Sequence, residues 1–127
     1  LRAIHFVSET ARAQEQKEAL SAGDIARFLE LVRESGRSSW RFLQNCVAPG
    51  EPDNQPLAAG LGVAEAFLAG RGAVRVHGGG FAGTLQAFVP TDLEKPFTRL
   101  MEHLFGGGCV TITGIRRSGS FAFPRID

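Results

Sequence analysis

The feature that most constrains the fold is a change of hydrophobic period near residue 73. Before it, apolar residues recur at three- and four-residue steps, which is typical of amphipathic helices. Over residues 74–77 and 84–89 apolar and polar residues alternate instead, which indicates half-buried strands. Because residues 78–83 alone separate the two patterns, we expect an antiparallel hairpin.

The connection between these strands, "GGGFAG", contains more glycine than a chain reversal needs. Four of its six residues are glycine, whereas a two-residue turn is enough to join two antiparallel strands. Successive glycines let backbone N–H groups converge on an anion without interference from Cβ atoms. A tight structural hairpin explains the same residues equally well, so the pattern alone leaves both interpretations open.

Two familiar nucleotide motifs are excluded at this loop. Gly78, Gly80 and Gly83 match the letters of the G-x-G-x-x-G fingerprint. That fingerprint requires a helix directly after the glycines and an acidic residue about 20 positions further on. Here a strand pattern follows, and the chain has no Gly-Lys-Ser/Thr sequence of the P-loop kind.

The remaining apolar patterns predict helices before and after the hairpin. The first helix is expected at 1–20, the second is capped by Asp24 and ends at Gly36, and the third is short, with Trp40, Leu43 and Val47 on one face. The fourth is expected at 57–68, and the fifth is capped by Asp92 and ends at 106–108. A proline-rich surface loop is expected at 48–56, a third strand at 109–115, and an edge strand or a frayed end at 116–127. This order predicts an α+β domain with an antiparallel sheet and helices mainly on one face. Gly60 and Gly62 predict close packing on the fourth helix.

Composition limits the classes of binding partner and the cellular compartment that we expect for this protein. A chain of 127 residues has room for one domain, and its net charge of +1 gives no reason to expect nucleic acid or an anionic membrane. No apolar run approaches the roughly 20 residues that span a bilayer. Cys46 and Cys109 lack zinc or redox spacing, so we expect reduced, partly buried thiols in a cytoplasmic protein.

No complete catalytic centre is predicted in this chain. His5, His77 and His103 have no second ligand at the spacing a metal site needs, and the carboxylates are scattered singly. Of the three, His77 directly precedes the glycines and is placed to contact a ligand. The arginines of "IRRSGS" are more typical of a solvated tail than of a phosphate site.

Longer stretches of the chain resemble one family. "RVHGGGFAGTLQAFVP" resembles the third signature motif of the GHMP small-molecule kinases, and within them the C-terminal part of bacterial galactokinases. "RAIHFVSETAR", "ALSAGDIARFLELVRESG" and "MEHLFGGGCVTITGIRRSG" are similar to galactokinase segments as well, so the likeness covers nearly the whole chain. His77, Ala82 and Gly36 depart from it, since many galactokinases have Thr, Gly and His at these positions.

The resemblance implies that residues 1–127 are the C-terminal domain of a longer kinase, with a ferredoxin-like fold. Galactokinases use ATP and Mg²⁺ to phosphorylate the anomeric hydroxyl of galactose, and their catalytic Asp and phosphate loop come from the N-terminal domain. The third motif lies at the cleft between the domains and supports the phosphate loop and the triphosphate. By residue matching, that role falls to Gly78, Gly79, Gly80, Phe81, Ala82 and Gly83, with His77 as a contact residue.

The resemblance also implies how the isolated chain behaves. Without the N-terminal domain we expect no kinase activity, no tightly bound ATP or Mg²⁺, and self-association through an uncovered apolar face. Two alternatives stay open: a stand-alone ligand-binding or interaction module of ferredoxin-like shape, and part of a related GHMP kinase that acts on another sugar or metabolite.

Overall fold

A computed structural model describes residues 1–51, 53–81 and 83–115, and it confirms the predicted α+β class. The elements are α1 (Arg2–Ser21), α2 (Ile25–Ser38), a π-helical turn (Ser39–Leu43), α3 (Pro56–Leu68), β1 (Ala73–His77), β2 (Thr84–Phe88), a 3-10 turn (Thr91–Leu93) and α4 (Glu94–Phe105). In the loop predicted at 48–56, residues 48–51 and 53–55 form no helix or strand, and α3 begins at Pro56. The expectation for the tail at 116–127 lies outside the described residues.

β1 and β2 form the antiparallel hairpin that the alternating pattern predicts. Val74 pairs with Ala87, and Ala73 pairs with Phe88. Because side chains alternate along a strand, these two pairs lie on opposite faces of the sheet. Ala73 and Val74 are both buried, so both faces of β1 are covered.

Helices cover both faces of the hairpin, which corrects the expectation that they pack mainly on one. On the Val74 face, α3 and α4 form the larger core, which contains Cys46, Leu57, Leu61, Ala64, Leu68, Val74, Val76, Phe97 and Met101. On the Ala73 face, α1 and α2 form a smaller core of Ala19, Phe28, Leu31, Val32 and Ala73. The rings of Phe28 and Phe88 meet edge to face there, with centroids 5.2 Å apart.

The prediction that α2 ends at Gly36 is wrong. Asp24 caps the helix as expected, since its side chain accepts a hydrogen bond from the amide of Arg27. The helix then runs through Gly36 to Ser38 and continues as the π-helical turn, which replaces the separate third helix. A Cβ on Gly36 would lie only 3.1 Å from the Cβ of Arg75. This glycine therefore allows α2 to approach β1 closely.

In α3 the predicted stripe is confirmed, and one of its two glycines packs closely. Leu57, Leu61, Ala64 and Leu68 are all buried. A Cβ on Gly60 would lie 3.0 Å from Leu85 Cδ1, as close packing requires. Around Gly62 no atom lies within 4 Å of that position, so the prediction is wrong there.

The last helix begins later than predicted. Asp92 lies in the 3-10 turn and does not cap α4, whose N-cap is Leu93. The Asp92 carboxylate instead pairs with Arg71, 2.7 Å from Oδ2 to Nη2, and this hydrogen bond holds the pKa of Asp92 below its ordinary value. Phe97 and Met101 face the core, and the helix ends before Gly106 as expected.

The third strand predicted at 109–115 is not formed. These residues have no regular secondary structure, and Ile112 and Ile115 are 68% and 83% exposed. A β-branched sequence is stabilised as a strand by packing on a neighbouring surface. Apart from Val110, which touches the larger core, this stretch lacks such packing among the described residues.

α1 is confirmed as a helix, but its polar side is the one that packs against α2 and β1. His5 Nδ1 lies 3.0 Å from Ser38 Oγ, and Glu9 and Arg12 point the same way. The apolar stripe of α1, defined here as Leu1, Ile4 and Val7, is 70%, 55% and 69% exposed. Amphipathic helices of globular proteins normally bury this side. The apolar stripe is therefore a surface without a partner within the described chain.

We expect the purified 127-residue chain to self-associate through the apolar stripe, because contiguous exposed apolar surface promotes association. Ile4→Glu places a charge in the stripe and should shift the chain toward monomer in sedimentation velocity. Ala13→Glu is the matched control, since residue 13 lies about 180° around the helix from residue 4. A wild-type chain that sediments as a monomer at every concentration would contradict this expectation.

Candidate functional site

The described residues of the glycine loop (78–83), namely 78–81 and 83, form a tight turn between β1 and β2. Gly78 and Gly80 have φ angles of 67° and 83°, in the left-handed region that residues with side chains rarely adopt. Phe81 also has a positive φ, 63°, which is rare for a bulky residue. The amide of Gly83 donates to the carbonyl of Gly80 at 3.1 Å and closes the turn.

The glycine loop rests on Asn45, a residue that follows the π-helical turn. Asn45 Nδ2 donates to the carbonyl of Gly79 at 3.2 Å, and the Asn45 carbonyl accepts the amide of Phe81. Between them, Gly80 lies so close that a Cβ would be 2.3 Å from the Asn45 carbonyl oxygen. Asn45 itself is only 2% exposed. One buried residue from a distant element thus contacts three consecutive residues of the loop, through its side chain at Gly79 and through its backbone carbonyl at Phe81.

Local structure before Asn45 sets its orientation. Ser39 Oγ donates to Asn45 Oδ1 at 3.1 Å, which leaves the Nδ2 group free to reach Gly79. Gln44 then adopts φ 55° and ψ 36°, which ends the π-helical turn and redirects the chain. π-helical turns are rare and are frequently found at functional sites.

The predicted site residues separate into two groups. Positions 78 and 79 are open, since no atom lies within 4 Å of a Cβ built on either, and His77 and Phe81 are exposed beside them. Gly80, by contrast, packs against Asn45. Backbone approach by a ligand is therefore sterically allowed at the first two glycines, whereas the third is needed for packing. Ala82 lies outside the described residues.

The backbone amides of Gly79 and Gly80, in the described part of the glycine loop, are free to donate to an anion. The amides of Phe81 and Gly83 are bound within the protein, to Asn45 and to Gly80. Within residues 1–51, 53–81 and 83–115, the amides of Gly79 and Gly80 have no acceptor. Neutral backbone donors of this kind can bind a phosphate oxygen.

A second polar cluster, the Glu9 cluster, joins α1, α2 and β1. The Glu9 carboxylate accepts hydrogen bonds from Ser35, from Arg12, and from Arg75 Nη1 at 3.1 Å. Ser35 is fully buried and also accepts from Arg75. Glu9 and Arg12 pair with each other, and Arg12 Nε also lies 3.6 Å from Glu34 Oε2 of α2. They link the first helix to the sheet.

Charges around Glu9 favour its ionised form. Burial by itself would raise the pKa of Glu9, but the hydrogen bond from Ser35 and the charges of Arg75 and Arg12 outweigh it. The pKa therefore lies below its ordinary value of 4.5.

The thiols differ from each other. Cys46 is buried in the larger core, and burial raises its pKa, which disfavours the reactive thiolate. Cys109 is exposed, which corrects the expectation that both are partly buried. Both are free cysteines, as predicted.

Other surfaces of the described chain have fewer features of a binding site. A depression of about 240 Å³ lined by Arg33, Arg37 and Gly72 lies away from the glycine loop, and Arg33 Nη1 there already donates to the Gly72 carbonyl at 2.8 Å. In the part of the chain that the structure describes, no three His, Cys, Asp or Glu side chains group as a metal site would. None of the helices described is both long and apolar enough to cross a bilayer.

Comparison with known proteins adds no assignment. No family model matches the chain, and no solved structure is significantly similar to it. The candidate site therefore rests on the geometry of the glycine loop and on its residues.

Sequence reasoning missed Asn45, which contacts residues 79–81 of the glycine loop. Its contacts span more than thirty positions along the chain, so no local spacing reveals them. The available signal was weak: Asn45 stands between Gln44 and Cys46, near the end of the short helical pattern that precedes the proline-rich loop.

Gly80→Ala and Gly79→Ala should differ sharply in stability. The first places a Cβ against the Asn45 carbonyl at a positive φ, which should lower the free energy of unfolding by about 2–4 kcal/mol. The second adds a methyl group in open space and should change it by less than about 0.5 kcal/mol. Urea unfolding of both variants tests this, and equal losses would contradict the division of roles within the loop.

Acid should weaken the Glu9 cluster. Because the folded pKa of Glu9 is below 4.5, its contribution to stability is present above that pH and is lost as pH falls through the folded value. At neutral pH Glu9→Gln should cost about 1–2 kcal/mol, since the carboxylate is 26% exposed and its ion pairs are partly screened. The difference from wild type should shrink between about pH 6 and about pH 3.

Glu18→Gln, an exposed change on the same helix, is the control for Glu9→Gln and should show a small difference from wild type at every pH. Urea unfolding at several pH values measures both. A Glu9→Gln difference that stays constant with pH would show that the carboxylate charge does not matter.

Proposed function

We propose that this chain is the C-terminal domain of a galactokinase. In the intact enzyme, the γ-phosphoryl group of ATP is transferred to the anomeric hydroxyl of galactose. The observation that carries the proposal is the glycine loop: a motif that resembles the third GHMP signature forms a turn whose Gly78–Gly79 backbone is open to a ligand. A helix-flanked antiparallel hairpin is compatible with the ferredoxin-like fold that this family has.

Phosphoryl transfer needs positioning and charge stabilisation more than covalent help from the protein. The glycine loop suits this chemistry because it offers backbone N–H groups and no side chain at 78–80. It forms one wall of the cleft and supports the phosphate-binding loop of the other domain. Mg²⁺ bridges phosphate oxygens in such reactions, and the catalytic Asp and the sugar-binding carboxylates come from the N-terminal domain.

The exposed apolar stripe of α1 supports this assignment independently of the glycine loop. Leu1, Ile4 and Val7 lie in contact with solvent on a helix whose polar side is bound to the domain. A neighbouring domain that covers this stripe would bury the surface that the described chain leaves open. In this proposal the intact enzyme is cytoplasmic, as kinases of sugar metabolism that use ATP are.

The same stripe favours one alternative, a stand-alone interaction module that binds a partner through α1. A related GHMP kinase with another sugar or metabolite as acceptor is the other alternative. A galactokinase phosphorylates galactose, a related kinase phosphorylates another acceptor, and an interaction module phosphorylates neither. One phosphorylation assay on the intact protein therefore separates all three.

We expect the 127-residue chain alone to release no ADP from ATP in the presence of galactose, because half of the cleft is missing. The intact protein should phosphorylate galactose, and a separately expressed N-terminal portion should restore activity when mixed with this chain. A coupled ADP assay over a panel of sugars measures each case. Activity on another sugar alone favours the related kinase, inactivity on all of them favours the interaction module, and activity of the isolated chain overturns the proposal.

A further inference from the structure

We propose that Asn45 is a positioning residue that orients the backbone of the glycine loop toward the phosphate end of a bound nucleotide. The nucleotide as ligand rests on the proposed function, whereas the orientation of the loop does not. Asn45 touches no ligand in this proposal, because it is buried behind Gly79, Gly80 and Phe81.

The first step concerns the peptide group between Gly79 and Gly80. Its carbonyl oxygen accepts a hydrogen bond from Asn45 Nδ2 at 3.2 Å. The described peptide bonds are all trans, so the N–H on the other side of this group points in the opposite direction. Anchoring the Gly79 carbonyl on Asn45 therefore turns the Gly80 amide away from Asn45, toward the open side of the loop.

The second step concerns the next peptide group, between Gly80 and Phe81. Here the N–H of Phe81 donates to the Asn45 carbonyl, so the carbonyl of Gly80 points away from Asn45. That oxygen is bound by the amide of Gly83 at 3.1 Å. The carbonyl oxygens of Gly79 and Gly80 are thus both hydrogen-bonded within the protein, while the Gly80 amide keeps no acceptor among the described residues.

The third step is the choice of asparagine. The position needs a side-chain donor for the Gly79 carbonyl and an acceptor for the Ser39 hydroxyl, and a primary amide supplies both. An aspartate has the acceptor but no donor, and it would place a negative charge against the Gly79 oxygen. Because Asn45 is buried, water does not replace the lost hydrogen bond.

The backbone on both sides of this contact is in an uncommon conformation. Gln44 and Phe81 have φ angles of 55° and 63°, although neither is glycine. Such residues persist where surrounding contacts hold them, and they cluster at binding sites. Asn45 follows Gln44 directly in the chain, and its backbone carbonyl accepts the amide of Phe81.

The test compares Asn45→Asp with Asn54→Asp in the full-length protein. Asn54 is exposed and its side chain bonds only locally, to Glu51 at 2.8 Å, so the control makes the same chemical change away from the loop. For Asn45→Asp we expect faster amide hydrogen exchange at Phe81 and a KM for MgATP raised about tenfold or more, with the KM for galactose within about twofold. Asn54→Asp should leave all three unchanged.

Ser39→Ala provides a second variant in case Asn45→Asp folds poorly. It keeps the asparagine and removes only the hydroxyl that orients its amide. Exchange at Phe81 and the KM for MgATP should rise in the same direction as in Asn45→Asp, by a smaller factor. A uniform loss of activity with unchanged KM values would indicate a purely structural role and overturn the proposal.

The remaining outcomes also either support or overturn the positioning role of Asn45. Unchanged exchange in the loop overturns the positioning role, and so does faster exchange with an unchanged KM for MgATP. A wild-type protein that phosphorylates no sugar refutes the proposed function instead. The NMR shift of the Gly80 amide on titration with inorganic pyrophosphate then decides: a shift that Asn45→Asp abolishes supports the positioning role, and no shift in the wild type overturns it.

Discussion

Burial of β1 on both faces is the constraint on which the rest of the fold depends. Val74 faces α3 and α4, while Ala73 faces α1 and α2. A two-stranded hairpin is marginal in water by itself, and here a helical layer on each face stabilises it. Arg75, the polar residue on the Ala73 side, is accommodated because Glu9 and Ser35 pair with it. The first helix is thereby held to the sheet by polar contacts.

Close approach of the backbone is what makes this double-sided packing feasible. Gly36 lets α2 lie against β1, and a Cβ on Gly72 would be 2.3 Å from the carbonyl oxygen of Phe88. Gly80 plays the same part against Asn45 at the other end of the strand. Glycines that look like loop or helix-end signals in the sequence are therefore, at three separated positions, sites of tertiary contact.

Local signals in the sequence predicted the hairpin, the stripe of α3 and the Asp24 cap, because each depends on residues a few positions apart. The predictions that failed depended on distant partners. Gly36 ends no helix because β1 lies against it, and residues 109–115 form no strand where packing is lacking. Within the candidate site, the position of the glycines between the two strands was predicted, whereas Asn45 became visible only when the chain was folded.

The π-helical turn at Ser39–Leu43 determines the direction in which the residues after it point. A π-helical turn accommodates one residue more than an α-helical one, and one residue corresponds to about 100° of rotation around the axis. If the same five residues formed regular α-helix instead, they would rotate the chain about 100° further and turn Asn45 out of line with Gly79 and Phe81. The less regular helical geometry thus sets the register between α2 and the glycine loop.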